Sequence, residues 1–296
     1  MGKLVRMISE DGSVMACALD STDIAAEIER LHQTSAVVTA ALGRLATAGA
    51  IMGYNLKHPE DSLTLRIKAD GPAGTLTVVA DGKGTVKACV DQPVVEIPLN
   101  TAGKLDVRGA VGSNGSLCVI KDLGLKEPYV GQVPLVSGEI AEDITSYYAV
   151  SEQTPTVCGL GVLVDPDLSV RAAGGYLVQL LPFADEACID VLEKNLQGLP
   201  PVSAMIDGGT QPQEICERLL AGLNPNLLED PAEVGYHCDC SAERSAKVVG
   251  SLAVEELQAM IEEDGGCEIC CHFCGEKYQF SAEELRQMIE AKRKKA

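Results

Sequence analysis

Hydrophobic and polar positions alternate with a period of two in "SLTLRIKADG" and in "GTLTVVADGKGTVKACV", and glycines break each run. That pattern predicts antiparallel strands with one buried face, joined by tight turns. Ahead of them, after a first strand, "STDIAAEIERLHQTSAVVTAALGRLATAGAIMGYNL" has a helical period and is rich in Ala and Gly, as a helix lying close against a sheet would be. Further strands are expected at "GSLCVIKDLG", "GQVPLVSG", "GLGVLVDPD" and "GGYLVQLLP", with a helical "EIAEDITSYYAVSEQ" between the second and third. Up to Pro182 the chain therefore reads as one α+β unit.

Beyond Pro182 the pattern changes. "DEACIDVLEKNLQGL" and "TQPQEICERLLAGLNP" carry narrow apolar stripes at helical spacing. The second opens with Thr210 three residues before Gln213, a capping-box signature, and stops at Gly222 and Pro225. Short helices of this kind are marginal alone and need something to dock on. A helix over "VEELQAMIEED" ends at Gly265 and Gly266. A terminal helix is expected from Ser281, with Glu284 completing its capping box and Phe280 stapling onto Leu285. The expected organisation is an α+β N-terminal domain of antiparallel sheets with packed helices over 1–182, an acidic helical linker over 183–236, and a small C-terminal module over 237–296.

Charge sharpens that division. The 296 residues have a formal net charge of −19, and from Phe183 to Asp264 there are 17 Asp or Glu against four Lys or Arg. Such a chain repels nucleic acid and anionic lipid, whose partners gain binding energy from Lys and Arg on phosphates, so neither a nucleic-acid nor a membrane partner is expected. No apolar run approaches the roughly 20 residues a membrane span needs, and an acidic pair stands where a signal peptide would be apolar. The expected location is the cytoplasm, where thiols stay reduced and paired cysteines point to metal or redox chemistry sooner than to a disulfide framework.

Six of the twelve cysteines crowd into "YHCDCSAERS" and "CEICCHFCGEKYQF". Cys238 and Cys240 form a C-x-C, and thirty residues later Cys271 and Cys274 form a C-x-x-C followed by Gly275. In an extended segment residues i and i+2 share a face, and a C-x-x-C-G turn presents two more sulfurs on one knuckle. Four thiolates so spaced suit one tetrahedral Zn2+ per chain in the reduced form, a closed structural shell with no place for substrate. His237 and His272 flank these cysteines, but four sulfurs already complete the shell. A small module draws much of its folding free energy from such a metal, and oxidation of the ligands would remove it. The other cysteines (17, 89, 118, 158, 188, 216) lie singly in apolar patterns and are expected to be inert. Ser151 has only His32 and His58 as partners within the first unit, too little for a hydrolytic triad, and no catalytic residue is expected.

These motifs resemble the heat shock protein 33 family of redox-regulated holdase chaperones. The resemblance rests on "CDCSAERS" with "CHFCGEKYQF", and on "ALGRLATAGAIMG", "KADGPAGTLTVVAD", "VIKDLGLKEPYVGQVPLVSGEIAEDITSYYAVSEQTPT" and "AAGGYLVQLLP" in order along nearly the whole chain. It implies an ATP-independent chaperone of the stress response, not an enzyme. Such a protein is inactive when reduced and zinc-bound, and active when Cys238, Cys240, Cys271 and Cys274 form disulfides. It also implies unfolded or aggregation-prone client proteins and a homodimer when active. One feature departs from the family pattern: Cys267 and Cys270 make a second C-x-x-C just before the matching pair. Gly275 after Cys274 favours Cys271 and Cys274 as ligands and leaves Cys267 and Cys270 on an incoming strand as auxiliary thiols, free to form a further disulfide or to exchange with the ligand pair. Two other readings remain: a thiol–disulfide oxidoreductase, which would want one C-x-x-C at a helix start, and a zinc-ribbon nucleic-acid binder, which would want basic flanks.

Overall fold

A computed structural model describes residues 1–182 and 184–293. The chain forms two compact units, Met1–His237 and Cys238–Ala296. In the first the order is β1 (Gly2–Ile8), β2 (Val14–Asp20), α1 (Thr22–His32), α2 (Ala36–Tyr54), β3 (Ser62–Ala69), β4 (Leu76–Asp81), β5 (Thr85–Val90), α3 (Val107–Val111), β6 (Gly115–Asp122), β7 (Tyr129–Pro134) and α4 (Ala141–Tyr147). A π-turn over Tyr148–Glu152 leads to β8 (Thr156–Val164) and β9 (Val170–Leu180), then α5 (Glu186–Gln197), α6 (Val202–Asp207), α7 (Pro212–Leu219), β10 (Asn226–Leu227) and β11 (Ala232–Tyr236). The second unit holds α8 (Ala242–Ser251), α9 (Val254–Asp264), β12 (Gly266–Cys270), β13 (Lys277–Ser281) and α10 (Ala282–Arg293). The α+β class read from the alternation is the one observed.

The strands of the first unit make one eleven-stranded sheet in the order β7-β6-β3-β4-β5-β11-β1-β2-β9-β8, with β10 also on β1. All of its pairings are antiparallel except β11 with β5. Strand β11 thus joins two antiparallel halves. Nothing in "DPAEVGY" announces this role, because a five-residue strand directly after an aspartate and a proline gives too short a period to read.

Helix α2 lies under both halves, packing on β3, β4 and β5 and on β8 and β9. Sixteen of its 19 residues are buried, Arg44 being one of the few exceptions. Its length and hydropathy would let it cross a membrane by composition alone, which corrects the expectation that no run is long enough; 89% of the apolar window is buried inside the protein. A helix buried all round needs apolar residues on every face, which a half-buried helix does not. The single helical stretch expected over 21–56 is two helices, because Gln33 takes a left-handed conformation (φ 50°) and ends α1.

Two clusters of buried side chains lie on opposite faces of the sheet. One gathers around α2 and includes Leu4, Leu19, Leu45, Leu65, Val78 and Val234. The other joins Val5, Met7, Val14, Ala16, Ala18 and Val178 of the sheet to Cys188 and Leu192 of α5, Val202 and Met205 of α6, and Ile215, Cys216 and Leu219 of α7. Period-two alternation explains the split, since Leu4 and Val5 point to opposite faces. Helix α7 starts at Pro212 with Gln211 as its N-cap and no side-chain cap, so Thr210 and Gln213 make no capping box. Proline at the first helical position needs no N–H partner and sets the start instead.

In the second unit α9 ends at Gly265 in the left-handed conformation (φ 69°). Ser281 and Glu284 cap α10 reciprocally, Ser281 N to Glu284 Oε2 at 2.8 Å and Glu284 N to Ser281 Oγ at 3.4 Å. Phe280 and Leu285 share its small core with Val249, Leu257 and Ile289. Helix α8 was not expected; Ser241 caps it by accepting from Arg244 N at 3.2 Å.

The close approach of α2 to the sheet gives a test. A Cβ on Gly49 would stand 2.7 Å from Val78 Cγ1, a stiff side chain with little room to turn. Replacing Gly49 by Ala adds about 1 kcal/mol of helix propensity, but overpacking of this kind costs about 1–3 kcal/mol. Gly49→Ala is expected to destabilise the first unit by about 1 kcal/mol, read as a lower urea midpoint at unchanged slope. A higher midpoint would show that α2 is not seated against β4 this tightly.

Candidate metal centre

Cys238 and Cys240 lie in the extended stretch before α8, and Cys271 and Cys274 lie in the turn between β12 and β13. The hairpin runs from Gly266 opposite Ser281 to Cys270 opposite Lys277. Its turn closes with Gly275 N donating to Cys271 O at 2.8 Å and Cys271 N donating to Glu276 O at 2.8 Å. Gly275 has φ 75°, the left-handed conformation that this knuckle requires and that a side chain would resist.

This geometry brings four sulfurs together. Cys238 Sγ stands 3.6 Å from Cys271 Sγ and Cys240 Sγ 3.3 Å from Cys274 Sγ, and all four lie within 4.8 Å of one another. A tetrahedral ion bonded to sulfur at about 2.3 Å would hold its ligands about 3.8 Å apart. The set could hold a metal ion, and its size and soft donors are compatible with zinc. Cys238, Cys240, Cys271 and Cys274 are all thiols, with no disulfide among them.

As thiols these groups are uneven. Burial above all raises Cys238 to about 11, and burial first also lifts Cys274 far above its ordinary value, with the Cys240, Cys238 and Cys271 thiols adding to it. Burial opposes the Cys271 thiolate too. There the N–H groups of Phe273 and Cys274 and the neighbouring Cys238 and Cys274 thiols outweigh it, and its pKa is lowered. A hydrogen bond to Cys240 foremost raises the Tyr278 hydroxyl, which donates to Cys240 Sγ at 3.1 Å. Tyr278 is the contact that spacing alone did not reveal. It sits four residues after Cys274 on the alternating strand β13, where its face could be read but its partner could not.

Cys267 and Cys270 stand outside the cluster on β12. Cys267 packs against the small core, and Cys270 is exposed with its Sγ 3.4 Å from Gly275 O. Three residues apart on a strand, their Cα atoms are separated by about 10 Å and their side chains point to opposite faces. A disulfide needs Cα atoms within about 7 Å. A disulfide between Cys267 and Cys270, one of the oxidised outcomes open to these auxiliary thiols, therefore cannot form while the hairpin is intact. His237 and His272 are exposed and belong to no cluster of candidate ligands among the described residues. Of the six isolated cysteines, Cys17, Cys188 and Cys216 are buried, and burial pushes the Cys216 thiol up to about 12. Cys89, Cys118 and Cys158 are only half-buried. Cys89 and Cys118 fall at half-buried positions of β5 and β6, so an apolar neighbourhood in sequence did not mean full burial in space.

A family model described as Hsp33 protein matches residues 2–281. The 33 kDa chaperonin of Geobacillus sp. (strain WCH70) is 47% identical over 292 residues, which cover 98% of this chain and 98% of that protein. The 33 kDa chaperonin of Enterococcus faecalis (strain ATCC 700802 / V583) is 45% identical over 285 residues, 96% of this chain and 95% of that one. Among solved structures, the 33 kDa chaperonin (heat shock protein 33 homolog) from Thermotoga maritima matches with a TM-score of 0.90 at 36% identity, covering 99% of each chain.

Cobalt titration of the reduced protein checks the ligand set, since sulfur-to-metal charge-transfer absorption scales with the number of bound thiolates. Cys271→Ser and Cys274→Ser are each expected to lose about a quarter or more of that absorption and to weaken binding at least tenfold, whereas Cys267→Ser and Cys270→Ser should titrate as the parent protein does. Loss of the signal in Cys270→Ser would move the site to the other knuckle.

Proposed function

The chain belongs to the Hsp33 family, and from that premise we propose that it is an ATP-independent holdase chaperone whose redox state is read at Cys238, Cys240, Cys271 and Cys274. The observation that carries this reading is the convergence of those four sulfurs within 4.8 Å in a unit with very little core of its own. In the reduced protein the four thiolates would hold one Zn2+, which supplies a structural cross-link and no reaction centre. Five buried apolar side chains are a small core for a unit of about 60 residues, so the cross-link accounts for a large share of its folding.

Oxidation of the four thiolates to two disulfides withdraws four electrons, taken up for example by two molecules of hydrogen peroxide reduced to water. The sulfur lone pairs are then no longer available to the cation, and the C-terminal unit loosens. The acidic segment 183–236 is the linker in this reading. Its helices of 12, 6 and 8 residues are too short to persist in water without a partner. Once they come away, Leu192, Leu196, Leu219 and Leu223 of the linker and Val5, Met7, Val14 and Val178 of the sheet become available to apolar segments of unfolding clients. The active form is proposed to be a homodimer, for which β8, an uncharged strand at one end of the sheet, is the candidate seam. The thiol chemistry suits the cytoplasm, where reduction is the resting state.

Light scattering of an unfolding client tests the switch. Reduced, zinc-loaded protein should leave aggregation nearly unchanged, and oxidised, metal-free protein should suppress it at near-stoichiometric ratios. Equal suppression by both forms would remove the switch. In the same comparison Cys240→Ser should bind less zinc and lose protection from hydrogen exchange beyond residue 237, with the first unit still folded. Melting of the main sheet in that variant would contradict the independence of the two units.

A further inference from the structure

Segment 184–236 is not held to the rest of the first unit in one way throughout. Helices α5, α6 and α7 rest on one face of the sheet through apolar side chains. Beyond Asn224 the chain enters the sheet itself. Leu227 pairs with Met7 and Asn226 with Ile8, and Leu228 N donates to Arg6 O at 3.0 Å. Strand β11 then pairs with β1 on one side, Val234 opposite Gly2, and with β5 on the other, Tyr236 opposite Val86. Its Val234 is fully buried in the cluster around α2, on the face opposite the helices.

A polar clamp marks the point of entry. Arg6 Nε donates to Glu229 Oε1 at 2.8 Å, and Arg6 Nη2 stands 2.6 Å from the same oxygen. Arg6 Nη1 reaches Asn55 Oδ1 at 3.4 Å, and the guanidinium lies 5.1 Å from the centre of the Tyr54 ring. Tyr54 and Asn55 form the C-terminal end of α2, where the helix dipole favours a cation. Arg6 shares the parity of Leu4 along β1, so the clamp belongs to the α2 face of the sheet and not to the face beneath α5–α7.

We infer that the Arg6–Glu229 clamp, with β10 and β11, fixes where release of the linker stops: residues 186 to about 223 can leave the sheet while 226–236 stays in it. This refines the proposed release of 183–236 and rests on that reading for its consequence, but not for its test. Removing α5–α7 uncovers one apolar face and breaks no strand pairing. Removing β11 would part the two halves of the sheet, since among the described residues β11 alone connects them by hydrogen bonds. It would also strand Arg6 beside Tyr54 without its carboxylate.

Native-state hydrogen exchange on the reduced, zinc-loaded full chain in low urea decides it. In the parent protein, amides of 186–219 should exchange through an opening that leaves 226–236 protected. Glu229→Gln and Arg6→Lys should each speed exchange in 226–236 by about five- to tenfold and leave 186–219 unchanged, and the exchanged pair Arg6→Glu with Glu229→Arg should recover part of the protection. The clamp is overturned if 226–236 opens together with 186–219 in the parent protein, if Glu229→Gln leaves 226–236 unaltered, or if it speeds both segments equally. After oxidation, lost protection should end near residue 223, and loss extending to Tyr236 would also overturn it. Unchanged protection throughout 184–236 after oxidation would count against the redox release instead, with the clamp still decided by the reduced protein.

Discussion

Two ladders of hydrogen bonds meet on Ala232–Tyr236, and the architecture of the first unit depends on that meeting. Without the strand, β1-β2-β9-β8 and β7-β6-β3-β4-β5 would be two separate sheets held together only by the packing of α1 and α2 on both. With it, the long segment between β9 and β10 is anchored at both ends in the same sheet. A segment tethered in this way cannot diffuse off. On the proposed release its helices would leave and return as a closed loop, and the effective concentration of the helices at their own docking face would stay high, because loop closure grows costlier only with the logarithm of length. On the same proposal, recovery of the docked state after reduction would need no partner protein to bring the pieces together.

The small unit answers to a different constraint. Its side chains bury one compact cluster around Val249, Leu257 and Leu285, and its hairpin is only five residues a side. The C-x-C arm meets the hairpin turn where the four sulfurs come within 4.8 Å of one another, and a bound ion would hold them there. That convergence closes a loop of about thirty residues, so its loss returns the entropy of the whole loop to the chain. Tyr278 Oη on Cys240 Sγ adds a hydrogen bond that orients one of the four sulfurs from the strand behind it.

Much of this was legible in the sequence, and for definable reasons. Strands such as Ser62–Ala69 and Leu76–Asp81 alternate cleanly because one face meets α2 and the other does not, and the C-x-C with C-x-x-C-G spacing reports a local geometry that needs few long-range contacts. What stayed hidden depends on partners far along the chain. Strand β11 is short, and its parallel partner β5 lies some 150 residues earlier. The clamp joins Arg6 to Glu229, and no periodicity links two single charges across the fold. Helix α2 is apolar over the length of a span because it is buried on nearly every side, and its short-range pattern does not show what buries it. The half-buried Cys89 and Cys118 show the same limit: an alternating strand announces two faces, not which of them remains open.

The acidity of residues 183–264 invites the thought that charge repulsion drives the unit apart on oxidation, and charge counting opposes it. On the proposed chemistry, oxidising four thiolates to two disulfides removes four negative charges, and losing a dication removes two positive ones. The C-terminal unit therefore becomes less negative by two as it loosens, and its repulsion from Asp239, Glu268 and Glu276 weakens. Those carboxylates are also solvent-exposed, where salt screens them within about 8 Å at physiological ionic strength. Loss of the four-sulfur cross-link, not electrostatic pressure, must supply the change in free energy. The acidity is better assigned to the opened state, in which a chain with newly uncovered leucines stays soluble because its neighbours along the sequence carry like charge.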